Sequence, residues 1–307
     1  MTETIKPAWG QADKTGSWDR RRKKLSRVLL YFILIVLAIL MVVPLAWMII
    51  TSLRPDYSRG DVPSNPFLAY LNWGNYVVAW QRANFSRYTL NTAIYATVCT
   101  VGQVFFCAMA GYAFARLKFR GSDLLFILVL ITMMIPFQML LVPLFVMLRH
   151  WPLAGGNDLF GAGGRGLIDS LPGLIIPNLV TGFGIFMMRQ FTLSLPSELA
   201  DAARIDGANE FQIFTKIMLP LTKPALVTLG IFAFQEAWND FTWPLIVSTS
   251  ANSRTLQLGL QTFQDQTLTE WGPLMAGTVI TVLPLLLVFI FGQRYFVEGI
   301  ALTGTKG

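Results

Sequence analysis

Residues 196–220 read PSELADAARIDGANEFQIFTKIMLP, a polar island in an otherwise apolar chain of 307 residues. Hydrophobic residues make up 54% of the sequence and charged residues 13%, whereas soluble proteins carry roughly a quarter charged residues. This balance predicts a membrane protein. A membrane protein that keeps a structured, amphipathic segment in water is expected to use that segment to contact a partner.

Six apolar runs surround the island, each about as long as the ~20 residues that cross ~30 Å of hydrocarbon. The candidate spans are Val28–Ile50, Leu90–Ala115, Leu124–Leu148, Leu171–Phe191, Pro224–Val247 and Leu274–Phe296. Long runs without alternation are typical of helices, because a helix satisfies its own backbone hydrogen bonds in lipid. The predicted fold class is therefore an all-α polytopic membrane protein with six transmembrane helices and both termini on the same side.

Positive charge assigns the two sides of the membrane. Lys and Arg concentrate in the N-terminal tail, where residues 20–24 read RRRKK, in the second and fourth connections, and in the C-terminal tail. Positive residues stay cytoplasmic, so both termini and the segment 196–220 are predicted to be cytoplasmic. The net charge of +7 then reflects topology and attraction to anionic lipid headgroups, and nucleic acid is not expected as a partner.

The chain divides into a basic cytoplasmic tail (1–24), a six-helix transmembrane domain (25–297) that contains the island, and a cytoplasmic C-terminal tail (298–307). The first tail is polar and is expected to be irregular. In the outer connections, Asn75–Trp80 is predicted to form a short helix at the membrane interface. The glycine-rich stretch Pro152–Asp169 is predicted to be a flexible loop.

Catalytic and metal-binding patterns are absent from the sequence. The single histidine, His150, stands alone, and no Gly-rich loop with the Lys-Ser/Thr of a phosphate site is found. Cys99 and Cys107 lie eight residues apart on one helix, about 12 Å along its axis, which is too far for a disulfide. The chain is therefore predicted not to be an enzyme and to hold no metal or cofactor itself.

The island splits into two helices at Gly207. Pro196 and Asp201 suit the first turns of a helix, where proline is tolerated and an acid favours the positive end of the helix dipole. Gly207 can adopt a positive φ and end that helix. Asn209 and Gln212 then have the spacing of a capping box. The pattern predicts a helix, a glycine turn and a second helix.

Each arm of this hairpin has a face of its own. The first presents a small, nearly smooth face, edged by Asp201 and Arg204 and made of Leu199, Ala202, Ala203 and Asp206. The second carries an apolar stripe expected to pack on the membrane helices, namely Phe211, Phe214, Ile217 and Met218. Four acidic and two basic residues precede Pro220 in the island, a balance that anionic lipid repels. A protein partner is favoured, and a hairpin lying on lipid is the alternative.

The spacing within the island resembles the EAA motif of permease subunits of ATP-binding-cassette (ABC) importers. The matching positions are Asp201, Ala202, Ala203, Gly207, Ile217, Leu219 and Pro220. Asp201 stands where the family has Glu, so the charge is kept and the reach is shorter. Further segments are similar to the carbohydrate-uptake branch, in particular the smaller six-helix subunit of maltose-type importers: Trp238–Phe241, Trp243–Pro244, Trp271–Ala276 and Gln293–Gly299.

The resemblance implies a type I importer (MetI-like) permease fold in the bacterial inner membrane, together with a set of partners. These are a second, non-identical permease subunit, two ATPase subunits that bind ATP and Mg, an extracytoplasmic solute-binding protein and a sugar substrate. It also implies that the hairpin 196–220 docks on the ATPase. The coupling residues are then Asp201, Ala202, Ala203, Arg204, Asp206, Gly207, Ile217, Leu219 and Pro220.

Polar and aromatic residues inside the spans mark a candidate substrate pathway, because polar groups are costly in lipid. They are Gln138, Glu236, Trp238, Asn239, Asp240 and Trp243. Glu236, Asp240 and Trp243 share one helical face, and two carboxylates beside an indole suit a sugar. A solvated vestibule or a contact with the partner subunit is the alternative, and the resemblance places the principal sugar site on the larger permease subunit.

The predicted function is that of a permease subunit of an ATP-driven, binding-protein-dependent sugar importer, which forms half of the translocation pathway. One alternative is an ABC permease for a non-sugar solute such as glycerol phosphate, although no unpaired Arg or Lys is found within the spans. A secondary transporter is the other alternative. It would show coupling carboxylates near the membrane midplane and often an internal repeat, and apart from Glu236 the chain shows neither.

Overall fold

A computed structural model describes residues 15–54, 71–264 and 269–304, with side-chain detail from Lys24 to Gln293 within those ranges. Residues 1–14 of the predicted N-terminal tail and 305–307 of the predicted C-terminal tail lie outside the described residues. The described chain is helical, and its one β-type pairing is an isolated bridge between Gln264 and Thr269.

The helices follow one another with short connections. In chain order they are α1 (Thr15–Ser52), α2 (Gly74–Arg82), α3 (Phe85–Arg116), α4 (Ser122–Met134), α5 (Phe137–Arg149), α6 (Leu171–Ile175), α7 (Gly182–Ser194), α8 (Glu198–Ile205), α9 (Glu210–Ile213), α10 (Leu219–Leu221), α11 (Lys223–Asn239), α12 (Thr242–Val247), α13 (Leu256–Leu260) and α14 (Trp271–Gly304). Two 3₁₀ turns, Ile176–Asn178 and Gln261–Phe263, and one π-helical turn, Phe214–Met218, connect some of them.

Three of these helices, α1, α3 and α14, are long and apolar enough to cross a membrane without interruption. Three further spans are bent pairs. The α4–α5 pair turns by 105° and the α6–α7 pair by 41°, and α11 turns by 81° from the preceding segment Glu210–Leu221, which lies before the apolar run Pro224–Val247. Six spans result among the described residues when each bent pair counts as one, which agrees with the predicted number.

A proline explains the sharpest of these bends. The residue before a proline is held in the extended region of φ and ψ, and Ile135 accordingly adopts φ −84° and ψ 116° ahead of Pro136. The candidate span Leu124–Leu148 therefore forms two helices, which make one span when the bent pair is counted together. The physical cause is local, because Pro136 lies between the two helices.

The long helix α3 lies at the centre of the bundle and packs against both α7 and α11. Two glycines bring α3 and α7 together: a Cβ at Gly111 would lie 2.6 Å from the Cβ of Met188, and one at Gly184 would lie 2.7 Å from the Sγ of Cys107. Cys99 and Cys107 are both buried and free, which confirms the prediction that they form no disulfide.

Hydrogen bonds show which helix ends lie together. Arg116 at the end of α3 donates to the carbonyls of Thr192 and Leu195 at the end of α7. We call this the hairpin end, because α8–α10 follow it. At the opposite end, the loop end, Arg82 of α2 lies 2.7 Å from Glu270, which precedes α14. Each end has its own buried apolar cluster, centred at the loop end on α3, α12 and α13 and at the hairpin end on α3, α7 and the hairpin.

The first helix begins earlier than the sequence pattern indicates. Helix α1 starts at Thr15, so the prediction of an irregular tail is wrong for residues 15–24. Arg and Lys are good helix formers, and the basic run 20–24 therefore continues the helix instead of interrupting it. From Lys24 to Leu45 the side chains of α1 are exposed within this chain, which leaves them free to face lipid or another subunit.

Helix α2 (Gly74–Arg82) confirms that a short helix forms at Asn75–Trp80, while its place at the membrane interface stays a prediction. Its anchor is Asn75, whose Nδ2 donates to the carbonyls of Ser52 at 2.9 Å and Arg54 at 2.7 Å. These bonds satisfy carbonyls at the end of α1, which have no partner within that helix.

The carboxylate of Asp169 ties the end of the predicted flexible loop Pro152–Asp169 to the residues that follow α12. The Oδ1 of Asp169 accepts hydrogen bonds from the backbone of Thr249 (3.1 Å) and Ser250 (2.9 Å) and from the hydroxyl of Ser253. Burial acts to raise the pKa of Asp169, but these hydrogen bonds outweigh it and lower that pKa below its ordinary value. The φ of Asp169 is 59°, in the left-handed region that Asp and Asn tolerate.

Candidate functional site

The island 196–220 folds as a helical hairpin at the hairpin end of the bundle. Its first arm is α8, and its second arm runs from α9 through the π-helical turn to α10. Gly207 in the turn has a φ of 80°. Asn209 and Gln212 exchange backbone and side-chain hydrogen bonds of 2.9 and 3.0 Å in a capping box. The predicted helix, glycine turn and second helix are confirmed.

The first arm buries a face other than the predicted one. Ala200 and Ala203 are 1% and 8% exposed and pack in the apolar cluster of the hairpin end. The prediction that Ala203 belongs to the outward face is therefore wrong. Two faces of α8 carry an alanine, one with Leu199 and Ala202 and the other with Ala200 and Ala203, since residues three apart share a face. Both faces are apolar, so hydrophobicity alone does not choose between them.

The outward face of α8 is partly apolar. Its exposed side chains are Leu199, Ala202, Ile205 and Asp206. Ile205 is 88% exposed and Leu199 is 41% exposed, so this face offers apolar contact points as well as a charge. Sequence reasoning missed Ile205, although its position three residues after Ala202 was the available signal.

Arg204 ties the two arms of the hairpin together. Its Nη1 lies 2.7 Å from Oδ1 of Asp201, and its Nε lies 2.7 Å from Oε1 of Glu210. Hydrogen bonds from this guanidinium hold the pKa of the Glu210 carboxyl below its usual range, against the opposing effect of burial. One oxygen of Asp201 is thus engaged within the chain, while the side chain remains 62% exposed.

The same carboxylate connects the hairpin to the centre of the bundle. Tyr112 of α3 donates a 2.6 Å hydrogen bond to Oε2 of Glu210, and its ring packs on Phe214 with the ring centroids 5.5 Å apart. A continuous chain of contacts therefore runs from Asp201 through Arg204 and Glu210 to α3. Sequence reasoning missed Tyr112 as a site residue, because its partner is 98 positions away.

The second arm packs against the bundle through an apolar stripe. Its buried or half-buried side chains are Ile213, Phe214, Ile217, Met218 and Leu219. The predicted inward stripe is wrong for Phe211, which is 62% exposed. The buried stripe begins at Ile213 and continues through the π-helical turn Phe214–Met218, and Phe211 lies before it. Pro220, which has no N–H to close the preceding turn, follows this wide turn and is exposed.

The predicted substrate-pathway residues do not share one surface. Helix α11 ends at Asn239, and Asp240 is extended with a ψ of 123° before α12 begins. The prediction that Glu236, Asp240 and Trp243 lie on one helical face is therefore wrong, because the helix over Pro224–Val247 is interrupted between them.

Two tryptophans of that set belong to the buried core. Trp238 and Trp243 are 3% and 0% exposed. The indole N–H of Trp238 donates to the carbonyl of Thr281 at 2.9 Å, and that of Trp243 donates to the carbonyl of Gly173 at 3.2 Å. A buried indole needs such a partner, so these two residues join α11 and α12 to α14 and α6.

Asp240 lies in a polar network between α3, α11 and the break between α6 and α7. The hydroxyl of Tyr95 donates to Oδ2 of Asp240 at 2.8 Å, and Nδ2 of Asn178 donates to the same hydroxyl at 3.0 Å. Gln103 adds a 3.0 Å bond from its Nε2 to the carbonyl of Asn178. Sequence reasoning did not include Tyr95 and Asn178 among the site residues, although polar side chains inside apolar spans were the available signal.

The remaining pathway residues are exposed within this chain. Glu236 and Asn239 are exposed on α11, and Oδ1 of Asn239 accepts a 3.3 Å hydrogen bond from Nε2 of Gln257. Gln138 is exposed on α5, just after the bend at Pro136. These three side chains therefore remain available to a ligand or to a second subunit.

Six membrane spans with a clamped, partly apolar hairpin at one end agree with the permease class that the sequence motif indicates. The chain belongs to the family of binding-protein-dependent transport system inner membrane components, whose family model matches residues 103–301. It is thus an inner membrane component of an ABC transporter, and the resemblance predicted from the island is confirmed.

Two relatives of this chain belong to different transport systems. The arabinooligosaccharides transport system permease protein AraQ of Bacillus subtilis is 33% identical over 92% of this chain and 96% of its own length. The sn-glycerol-3-phosphate transport system permease protein UgpE of Pectobacterium atrosepticum is 30% identical over 74% of this chain and 79% of its own length.

The fold has a solved counterpart. A chain in the crystal structure of a bacterial ABC transporter involved in the import of the acidic polysaccharide alginate matches with a TM-score of 0.72 and 23% identity, over 95% of this chain and 100% of that chain. Similarity at this level of identity concerns the fold, and it confirms the predicted all-α importer-permease fold.

Proposed function

We propose that this chain is one of two permease subunits of an ATP-driven, binding-protein-dependent sugar importer, forms half of its translocation pathway, and couples to the ATPase through the hairpin 196–220. The observation that carries the proposal is the fastening of the hairpin to the bundle. Arg204 joins the two arms, and Glu210 accepts a hydrogen bond from Tyr112 of α3. A hairpin held in this way transmits a push on its exposed face.

Two routes carry such a push into the spans. One runs through Glu210 and Tyr112 into α3, and the other continues along the second arm into α11. The two helices meet again at the loop end, where Tyr95 donates to Asp240. In the proposed cycle, closure of the ATPase dimer moves the hairpin and switches the passage between inward-facing and outward-facing states, as packed helices shift between discrete arrangements.

The coupling residues are those of the predicted motif together with Ile205. The side chains that reach the partner are the exposed ones, Asp201, Ala202, Ile205 and Asp206. Ala203, Ile217 and Leu219 act from the inner side by holding the hairpin on the bundle, Arg204 clamps its arms, and Gly207 and Pro220 shape its turns.

The chemistry of ATP hydrolysis belongs to the partners in this proposal. ATP and Mg bind the two ATPase subunits, and this chain is neither an enzyme nor a holder of a metal or cofactor. The other partners are a second, non-identical permease subunit, an extracytoplasmic solute-binding protein and the surrounding lipid. The hairpin and both termini are cytoplasmic, because Lys and Arg gather on that side.

A sugar is the proposed substrate, supported by the similarity to AraQ, whose name specifies arabinooligosaccharides. The exposed side chains of Gln138, Glu236 and Asn239 and the partly exposed Asp240 are its candidate contacts in the passage. Trp238 and Trp243 contribute indirectly, because they join α11 and α12 to α14 and α6. Glycerol phosphate is the second candidate, since UgpE is also a relative and the partner permease could supply the cations.

The test is uptake by the complete transporter in proteoliposomes with its binding protein. Uptake of a neutral oligosaccharide should stop when ATP is depleted and continue when an uncoupler collapses the proton gradient. The double substitution Ala202→Trp with Gly207→Pro should abolish uptake, and Ala251→Trp, the same enlargement at the exposed loop end, should not. Normal ATPase binding and uptake by the hairpin variant would refute the coupling role, and uptake confined to glycerol phosphate would refute the sugar class.

A further inference from the structure

A polar cavity opens at the loop end, beside the start of α14. Its volume is about 340 Å³, within the ~300–1,000 Å³ typical of small-molecule sites. The polar part of its lining is Gln257, Gln261, Gln264 and Thr278. The apolar part includes Phe241, Trp271 and Met275. None of these residues belongs to the hairpin or to the predicted substrate pathway.

Three side-chain amides give the cavity paired donors and acceptors. Each glutamine offers one carbonyl acceptor and an NH₂ group with two donors. Gln257 uses one donor on Asn239. The side-chain amides of Gln261 and Gln264, both exposed, form no hydrogen bond within the described part of the chain. Within the described part of the chain, these amides therefore offer donors and acceptors to a ligand that carries hydroxyl groups.

The ligand class follows from what surrounds the amides. Trp271 is half-buried at the first position of α14. Phe241 follows the break at the end of α11 and directly precedes α12. An aromatic ring offers a flat apolar surface suited to the C–H face of a sugar ring. No Asp, Glu, Lys or Arg is among the described lining residues, so a phosphate or carboxylate would find no charged partner there.

The walls of the cavity are fixed by close packing. A Cβ at Gly259 would lie 2.7 Å from the Cδ2 of Tyr88, and one at Gly277 would lie 2.8 Å from the Cδ2 of Leu260. Helix α13 is thereby pressed against α3 and α14 at once. A preformed cavity binds with less loss of conformational freedom than one that must assemble.

We infer that this cavity binds one neutral sugar unit at the entrance of the passage. The amides of Gln261 and Gln264 bind its hydroxyl groups, and the indole of Trp271 packs on its ring. Through Gln257 and Asn239 the cavity adjoins the exposed side of α11, so a sugar bound there stands next to the candidate pathway. The inference rests on the proposed sugar-import function and adds a binding site on this subunit.

Protection of an introduced cysteine tests the binding directly. The complete transporter, without its binding protein, carries Gln261→Cys or the matched control Gln81→Cys, an exposed glutamine of α2 at the same end. N-ethylmaleimide labelling is followed by mass spectrometry of this chain, in which Cys99 and Cys107 are fully buried. The probes are maltotriose, xylotriose and arabinotriose, with glycerol phosphate as the anionic comparison, each at about 10 mM to populate a weak site.

At least one neutral trisaccharide should slow labelling of Gln261→Cys about fivefold and leave Gln81→Cys unchanged, and glycerol phosphate should slow neither. The inference is overturned if no trisaccharide protects Gln261→Cys, if both cysteines are protected alike, or if glycerol phosphate protects as well as the sugars.

Uptake separates this inference from the function on which it rests. With saturating binding protein, Gln261→Ala combined with Gln264→Ala should lower sugar uptake about fivefold, as expected from the loss of neutral hydrogen bonds, and Gln81→Ala should not. If the wild-type transporter imports no sugar, the proposed function fails. If it imports sugar and the double variant imports at the same rate, the cavity assignment fails and the proposed function stands.

Discussion

The phenol of Tyr112 lies 2.6 Å from Oε2 of Glu210, and this hydrogen bond joins the central helix to the hairpin. Arg204 holds the same carboxylate from the other side at 2.7 Å. Glu210 is thus shared between α3 and the first arm. A change at Tyr112 or Glu210 loosens the hairpin and leaves the side chains of its outward face in place, which makes these two residues suitable for separating docking from transmission.

Replacement of Tyr112 by Phe removes the hydrogen bond and keeps the ring that packs on Phe214. We expect a loss of roughly 1 kcal/mol in the fixation of the hairpin, a modest value because the side chain of Glu210 is 42% exposed. ATP-driven uptake should fall about two- to fivefold while the ATPase still binds. The control is Tyr31→Phe on the exposed face of α1, and equal uptake by the two variants would show that the hairpin is held without this bond.

Acid should weaken the attachment of the hairpin. Arg204 lowers the pKa of Glu210 in the folded protein, so the ionised carboxylate contributes stability that is fully present above the ordinary glutamate pKa. That contribution is lost as the pH falls through the lowered pKa. Thermal unfolding of the wild type and of Glu210→Gln should therefore differ at about pH 7 and converge only as the pH falls below about 4. A difference that stays constant over this range would contradict the assignment.

Substitutions of Gly207 should be tolerated according to how readily the new residue adopts a positive φ. Its φ is 80°, and a Cβ there would meet no described atom within 4 Å. Gly207→Ala should cost roughly 1–2 kcal/mol of unfolding free energy through the left-handed backbone, Gly207→Asn less, and Gly207→Val more.

Gly121 provides the matched control for this series. Its φ is 87° and its surroundings are equally open, so Gly121→Ala should cost a similar amount of stability. It lies in the connection between α3 and α4, outside the hairpin, and should therefore leave uptake closer to the wild-type level. Equal loss of uptake in both alanine variants would mean that stability, and not the shape of the hairpin turn, limits transport.

Local sequence rules were sufficient for the architecture of the hairpin. Gly207 predicts the turn because glycine alone adopts a positive φ without cost, and Asn209 with Gln212 predicts the start of the second arm through capping-box spacing. The spans likewise follow from length and apolarity. These features depend on residues close together in the sequence, and the structure confirms them.

The details that decide the site depend on contacts between distant residues. Sequence periodicity cannot choose between the Ala202 and Ala203 faces of α8, because both are apolar. It cannot foresee that Arg204 turns inward to Glu210, since Tyr112 completes that site from 98 positions away. The burial of Trp243 was missed for a local reason, because the break at Asp240 shifts the helical register on which the shared face relied.

Trp243 should prove to be a structural residue. It is fully buried, and replacement by Ala should lower the unfolding free energy by roughly 3–5 kcal/mol through the cavity that remains. The matched control is Trp73→Ala, which removes a 64% exposed indole and should cost far less. The measurement is thermal or denaturant unfolding of the purified complex. If Trp243→Ala kept wild-type stability and lost only sugar affinity, the original assignment to the substrate pathway would be restored.

Replacement of Asp169 by Ala should be much more costly than replacement by Asn, and this difference should be larger than at an exposed loop position. Asn tolerates the left-handed φ of 59° and keeps one oxygen to accept from Thr249 and Ser250. Ala loses both the acceptor and the favourable backbone, at about 3 kcal/mol in total. Hydrogen–deuterium exchange at residues 248–253 should therefore rise strongly in Asp169→Ala and weakly in Asp169→Asn. Equal exchange in the two variants would mean that the loops are held together by contacts other than this carboxylate.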